Sequence, residues 1–154
     1  GADDLQVEPL WDEPLLLCAA PDYQPGAAPL DAGDLARLTF VTSPEGNVRR
    51  EKEDELLQRA GLARGRVALL GHPEAMKRAV RAGLGAAFLL LSSVREELAD
   101  GTLVRLPLDA PAMQIPLFLV HRRSKVFSPL QERLMDRVRA AYRAERERPA
   151  PPPP

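Results

Sequence analysis

The chain has 154 residues, 45% of them hydrophobic, and its 21 basic against 22 acidic side chains leave a formal charge of −1. That length can bury a proper core in one domain or two small lobes, and the near-neutral balance gives no global field to draw this piece onto nucleic acid. The lone cysteine, Cys18, excludes an internal disulfide and a cysteine-built zinc site. Cys18 lies in an apolar run and reads as a buried, inert thiol in a reducing compartment. No apolar stretch reaches the ~18 residues of a membrane helix. The opening Gly1-Ala2-Asp3-Asp4 is acidic, unlike a signal peptide, and without an initiator methionine it reads as trimmed. The expectation is a cytoplasmic protein with no membrane contact.

Pro14-Leu15-Leu16-Leu17-Cys18-Ala19-Ala20 is an apolar run closed by Pro21-Asp22, as expected of a buried strand. Residues 23–29 are loop by their prolines and glycine, and residues 31–38 predict a short helix capped by Asp31. Residues 38–42 are strand-like, 43–47 have turn chemistry, and Asn47 is a good cap for a helix over 48–60 that Gly61 stops. Residues 66–70 predict a strand. Gly71-His72-Pro73 then turns into a helix near Glu74, with Pro73 suited to the first helical position. Ala75, Met76, Ala79 and Val80 share one face, which reads as core. Gly83-Leu84-Gly85 ends that helix before a strand over 86–91. Ser92 is expected to cap a short helix through Leu98, and Asp100-Gly101 turns it back. Residues 102–106 and 115–121 predict two more strands. Leu130, Leu134, Val138 and Tyr142 step by four along an amphipathic helix over 128–146, and a proline-rich tail follows.

Strands alternating with helices predict an α/β sheet with some parallel strands, whose ligands sit beyond the carboxyl ends of strands. Two strand-to-helix turns fit that position, 42–47 and 71–74. Backbone N–H groups at a helix start favour an anion or a carbonyl oxygen, and Thr42, Ser43 and His72 add side-chain donors. The blander alternative is that Ser43 or Asn47 caps its own helix and His72 is merely exposed. Arg49-Arg50-Glu51-Lys52-Glu53-Asp54-Glu55 reads as a solvated helix face laced by i,i+4 pairs. Arg122-Arg123 with Lys125 reads as a solvated loop. The Gly83-Leu84-Gly85 element follows a helix, where a dinucleotide loop would follow a strand, and so reads as a glycine stop tight against the sheet. Neither His72 nor His121 sits in a nucleophile or metal-ligand motif, so no catalysis, cofactor or metal is expected.

One family accounts for the order of these pieces. The segment 74–89, in which a helix ends in Gly83-x-Gly85 and runs into a strand, resembles a segment of LysR-type transcriptional regulators. Ser92 to Leu98 with Gly101-Thr102-Leu103, and Leu117 to Lys125 with Ser128-Pro129, are similar to the pieces that follow there. Upstream, Glu13 to Pro21, Asp34-Leu35 and Phe40-Val41 continue the match over about residues 7–142. The resemblance implies a type II periplasmic-binding-protein-like α/β fold of two lobes with a small effector between them. Residues 1–17 and 117–146 would be part of an incomplete first lobe, 18–116 the second lobe, and 147–154 a disordered tail. The implied ligand-binding positions are Thr42, Ser43, Gly71, His72 and Pro73. The implied function is effector sensing for a transcriptional regulator, as a homodimer or homotetramer. DNA would be bound only through an N-terminal domain absent from this sequence. The absent opening of the first lobe would take effector-binding hydroxyls with it and leave apolar surface exposed. A free-standing solute-binding protein is the alternative, but Cys18 lies too deep in a strand to be a lipid anchor. An α/β enzyme with its catalytic residues elsewhere is a third reading. Two helix N-termini favour a carboxylate- or phosphate-bearing effector.

Overall fold

The computed structural model describes residues 4–23 and 29–148. In chain order the elements are β1 (Leu5–Ala19), α1 (Ala32–Arg37), β2 (Thr39–Thr42), α2 (Val48–Arg59), β3 (Arg66–Leu69) and α3 (Pro73–Arg81). There follow β4 (Ala87–Leu90), α4 (Leu91–Asp100), β5 (Val104–Arg105), β6 (Gln114–Arg122) and α5 (Pro129–Glu147). The chain divides into two compact units, one over Pro14–Met113 and the other joining Gly1–Glu13 to Gln114–Ala150.

In the unit over Pro14–Met113, the apolar end of β1 is central. Leu15 to Cys18 pair antiparallel with Leu90 to Ala87 of β4, and Cys18-Ala19 pair with Arg105-Val104 of β5. Leu15, Leu16, Leu17, Cys18 and Ala19 are all buried, which is why an unbroken apolar run replaces alternation here. Burial pushes the Cys18 thiol up to about 12, so at neutral pH it stays protonated and inert. β2 and β3 form a parallel pair in register from Thr39↔Arg66 to Thr42↔Leu69. A parallel bridge, Phe40↔Ala86, ties β2 to the chain entering β4. Val41, Met76, Val80, Ala87, Leu89 and Val94 fill the core around Leu16 and Cys18, while Phe40 stacks on Phe88 at 5.9 Å.

Local chemistry places the helix ends. Asp31 and Asp34 form a capping box on α1, and Asn47 caps α2 through the Arg49 N–H. Three expectations need correction. Ala75 is exposed, because the buried row of α3 is centred on Met76 and Val80. Ser92 is not a cap: α4 starts at Leu91, whose side chain is drawn into the core, and the Ser93 hydroxyl donates to the Leu90 carbonyl. The strand over 102–106 shrinks to Val104–Arg105, since Thr102 donates from both its N–H and its hydroxyl to the Asp100 carboxylate. The helical stripe near the end of the chain lies at the surface. In the second unit, Leu130 and Leu134 of α5 are exposed, as are Phe118 and Val120 of β6 and Val7 of β1. Among the described residues, this unit buries no apolar side chain. Tyr142 meets Trp11 at 6.4 Å, and Ser128 and Gln131 box the start of α5. α5 is helical through Glu147, while the proline tail over 149–154 lies outside the described residues.

Gly83 has φ +78°, the left-handed stop expected of it, and Gly85 serves a different end. A Cβ on Gly85 would lie 2.1 Å from the Thr39 carbonyl oxygen, the same oxygen that accepts the Ala86 N–H at 2.8 Å. Only glycine lets the chain pass β2 this closely. Gly85→Ala should therefore lower stability by about 1–3 kcal/mol in urea melts. Gly71→Ala, where a Cβ meets nothing within 4 Å, should leave the midpoint close to wild type. Equal losses at both glycines would contradict this reading.

Candidate functional site

Parallel pairing decides where the two predicted turns emerge. Because Thr42 is in register with Leu69, the chain leaves β2 and β3 at the same end of the pair. The Leu70 N–H donates to the Thr42 carbonyl at 2.9 Å, so Ser43 and Gly71 begin neighbouring turns. The Ser43 hydroxyl faces the Met76 sulfur of α3 at 3.8 Å, a weak partner that leaves this hydroxyl open to a better acceptor. Thr42, Ser43, Gly71, His72 and Pro73 thus share one edge of the unit over Pro14–Met113. Thr42 and Ser43 are buried, whereas Gly71, His72 and Pro73 are exposed.

The capping alternative holds at α2, while His72, merely exposed in that alternative, in fact caps α3. Asn47 Oδ1 accepts the Arg49 N–H at 3.0 Å, and His72 Nδ1 accepts the Glu74 N–H at 3.2 Å. An accepting Nδ1 places the imidazole proton on Nε2, so His72 can cap α3 and still offer a donor outward. Pro73 has no N–H, and the Met76 N–H already serves the His72 carbonyl. Among the described residues, the first turn of α3 is left with the Ala75 N–H.

The charged run on α2 is where the sequence reading needs most revision. Glu51 and Asp54 are exposed, as a solvated face requires, but Glu53 is buried. Its carboxylate accepts from Thr42 Oγ1 (3.3 Å), Arg49 Nε (2.9 Å) and Arg64 Nη2 (2.6 Å). Arg49 also donates from Nη2 to the Phe88 carbonyl of β4, and Arg64 pairs with Asp54 and lies over the Phe40 ring, 6.0 Å from its centroid. Arg50 donates to the Ser43 carbonyl at 3.0 Å. Burial pushes the Arg64 guanidinium below its ordinary value and Glu53 opposes this, so Arg64 remains a cation. The signal for the cluster was spacing. Arg49, Glu53 and Leu57 step by four along one row of α2, and Leu57 is buried.

In the unit that contains α5, a depression of about 230 Å³ is lined by Glu8, Pro9, Leu10, Arg139, Arg143 and Arg146. Arg139 donates to Glu8 from Nε and Nη2 and holds that carboxyl below its usual range. The sequence reading singled out none of these residues. Among the described residues, no group of histidine, cysteine and carboxylates could hold a metal, and no helix is long and apolar enough to cross a membrane.

These features define a type II periplasmic-binding-protein-like α/β domain. The chain belongs to the LysR substrate binding domain family, whose model matches residues 2–143. It is 31% identical over 127 residues to the RuBisCO operon transcriptional regulator of Allochromatium vinosum, spanning 82% of this chain and 42% of that one. It is 32% identical over 130 residues to the HTH-type transcriptional regulator YeiE of Escherichia coli, spanning 84% of this chain and 44% of that one. The chain therefore spans less than half the length of these relatives. Among solved structures it is similar to the regulatory domain of CcmR from Synechocystis PCC6803 in complex with 2-PG. That match has a TM-score of 0.73 and 26% identity over 90% of this chain and 67% of that one. The effector domain of AmpR from Pseudomonas aeruginosa shares the fold, with a TM-score of 0.69 at 21% identity over 92% of this chain and 66% of that one.

Removing the Glu53 carboxylate would leave Arg64, whose side chain is 6% exposed, with Asp54 as its one carboxylate among the described residues. Glu53→Ala should cost about 3–5 kcal/mol in chemical denaturation, the usual penalty for breaking a buried ion pair from one side. A loss below about 1 kcal/mol would place the network in the class of surface ion pairs.

Proposed function

We propose that this chain is the effector-sensing part of a LysR-type transcriptional regulator, binding a small anionic metabolite at the turns after β2 and β3. One observation carries the reading: two strand-to-helix turns meet at one edge, bringing Ser43 beside Gly71 and His72. Ser43 supplies a hydroxyl with only a sulfur partner, and His72 supplies Nε2–H. Thr42 contributes indirectly by fixing Glu53. Gly71 and Pro73 shape the entry to α3. The residues 18–116 are read as the second lobe of the effector domain, and 1–17 with 117–146 as elements of the first. The role is binding without chemistry. Effector binding would bias the geometry of the whole regulator, and through it a DNA-binding domain on the same polypeptide, in the cytoplasm. The relatives named above are regulators, and none of them favours the transport alternative. The 2-PG complex of CcmR makes 2-PG the natural first probe.

A thermal-shift screen with 2-PG and a panel of metabolite acids tests the site. A ligand at 100 times its Kd should add about 2.7 kcal/mol of stability. His72→Asp keeps a helix cap but removes the outward donor, so it should preserve the melting point and reduce the ligand shift. Ser43→Ala should do the same. Full shifts in both variants would move the site elsewhere.

The chain is further proposed to self-associate as a homodimer or homotetramer through apolar surface on α5 and β6. Leu134 is 61% exposed and Phe118 51% exposed. Sedimentation should show mass rising with concentration, and Phe118→Lys with Leu134→Lys should return the monomer. A wild-type chain that is monomeric at all concentrations would end this part of the reading.

A further inference from the structure

The carboxyl end of β2 carries more positive charge than its internal pairing uses. Three guanidiniums, Arg49, Arg50 and Arg64, are tied to two carboxylates, Glu53 and Asp54. The linked set keeps one net positive charge. Arg64 is enclosed between both carboxylates, and Arg50 is engaged by the Ser43 carbonyl and Asp54. Arg49 differs. Its Nε is held by Glu53 and its Nη2 by the Phe88 carbonyl, so the guanidinium plane is fixed at two points. Its Nη1 has no hydrogen-bond partner among the described residues and is not among the enclosed unpartnered atoms. The side chain is 20% exposed, which opens it to solvent at the strand end that carries Thr42 and Ser43.

We infer that Arg49 reads the acidic group of the effector, with Glu53 and the Phe88 carbonyl acting as its positioning partners. The inference rests on the effector-site reading above and names the residue that sets its preference for anions. A guanidinium already fixed by two bonds loses little side-chain freedom when an anion arrives. Its free N–H groups suit a carboxylate or a phosphate oxygen, where charge-assisted bonds are the strong ones. The helix start alone is a weaker source of this preference, because Asn47 already takes the Arg49 backbone N–H. Glu53 has two effects here. It aims Arg49, and it neutralises Arg64, so that the surplus charge is presented at Arg49 alone.

Titration with inorganic phosphate, followed by amide and arginine Nε resonances in NMR, tests this on the whole chain. In the wild type, phosphate should move the amides of Ser43, Gly71 and His72 together with the Arg49 Nε–H signal. Arg49→Gln should keep a folded spectrum and weaken phosphate binding by roughly ten- to hundred-fold, the loss of one or two bonds to a charged group. Should Arg49→Gln unfold, the wild-type Arg49 Nε–H signal decides alone. If that signal stays fixed while the Ser43 and His72 amides move, the site stands and Arg49 is not its reader. Unchanged affinity in Arg49→Gln excludes Arg49 in the same way. If phosphate moves none of these amides in the wild type, the effector-site reading fails, and the role of Arg49 fails with it.

Discussion

A carboxylate out of water must be paid for by its neighbours, and Glu53 sets this requirement at the end of β2. The charged form is costly to bury unless every lone pair finds a donor. Here Thr42, Arg49 and Arg64 supply those donors from the strand, from the helix itself and from the segment after it. Arg49 extends the chain of bonds to the Phe88 carbonyl, so one charge network spans β2, α2 and β4. α2 has no apolar stripe over its first turns. It is pinned at that end by charge and at the other by Leu57. The turn between β2 and α2 is therefore held at both edges, which is the condition for a site that exists before its ligand arrives.

This arrangement also changes where an anion preference can come from. A helix start attracts anions through unpaired N–H groups, but α2 and α3 both satisfy one of theirs with their own caps, and Pro73 removes another. A fixed guanidinium with free N–H groups is the stronger and more directional source. Under the proposed function, helix ends would tune a preference that side chains establish.

Much of this was legible because local chemistry and tertiary structure agree. The buried run at 15–19, the caps Asp31 and Asn47, and the stops at Gly61 and Gly83 all follow from local rules that packing did not override. The edge that gathers Thr42, Ser43, Gly71 and His72 followed from strand-helix alternation, since parallel strands put their following turns on the same side. The buried role of Glu53 was not legible from composition. A stretch of alternating charge has the same local signature whether one row of it faces water or a strand end, and only the partners decide. Arg64 lies eleven residues away in sequence, beyond any helical spacing rule. Ser92 failed for a related reason. Its cap propensity was overridden by the core position of Leu91, which fixes the start of α4 two residues earlier than a Ser92 cap would.

The two units differ in what holds them. The unit over Pro14–Met113 has a continuous core from Leu16 to Leu103, enough to fold around. The other, among its described residues, rests on strand pairing, the Trp11–Tyr142 contact and the Arg139–Glu8 pair, and buries no apolar side chain. A sheet pair and one helix without a core are marginal in water, so the order of that unit depends on apolar surface being covered. Under the proposed function, this implies a division of labour. Recognition can reside in the self-sufficient unit, whose turns are braced by its own network. The exposed faces of α5 and β6 are free to respond to whatever covers them. A ligand at the braced site would then act on the rest of the molecule only through a difference in affinity between its states, and not through local ordering of the site itself.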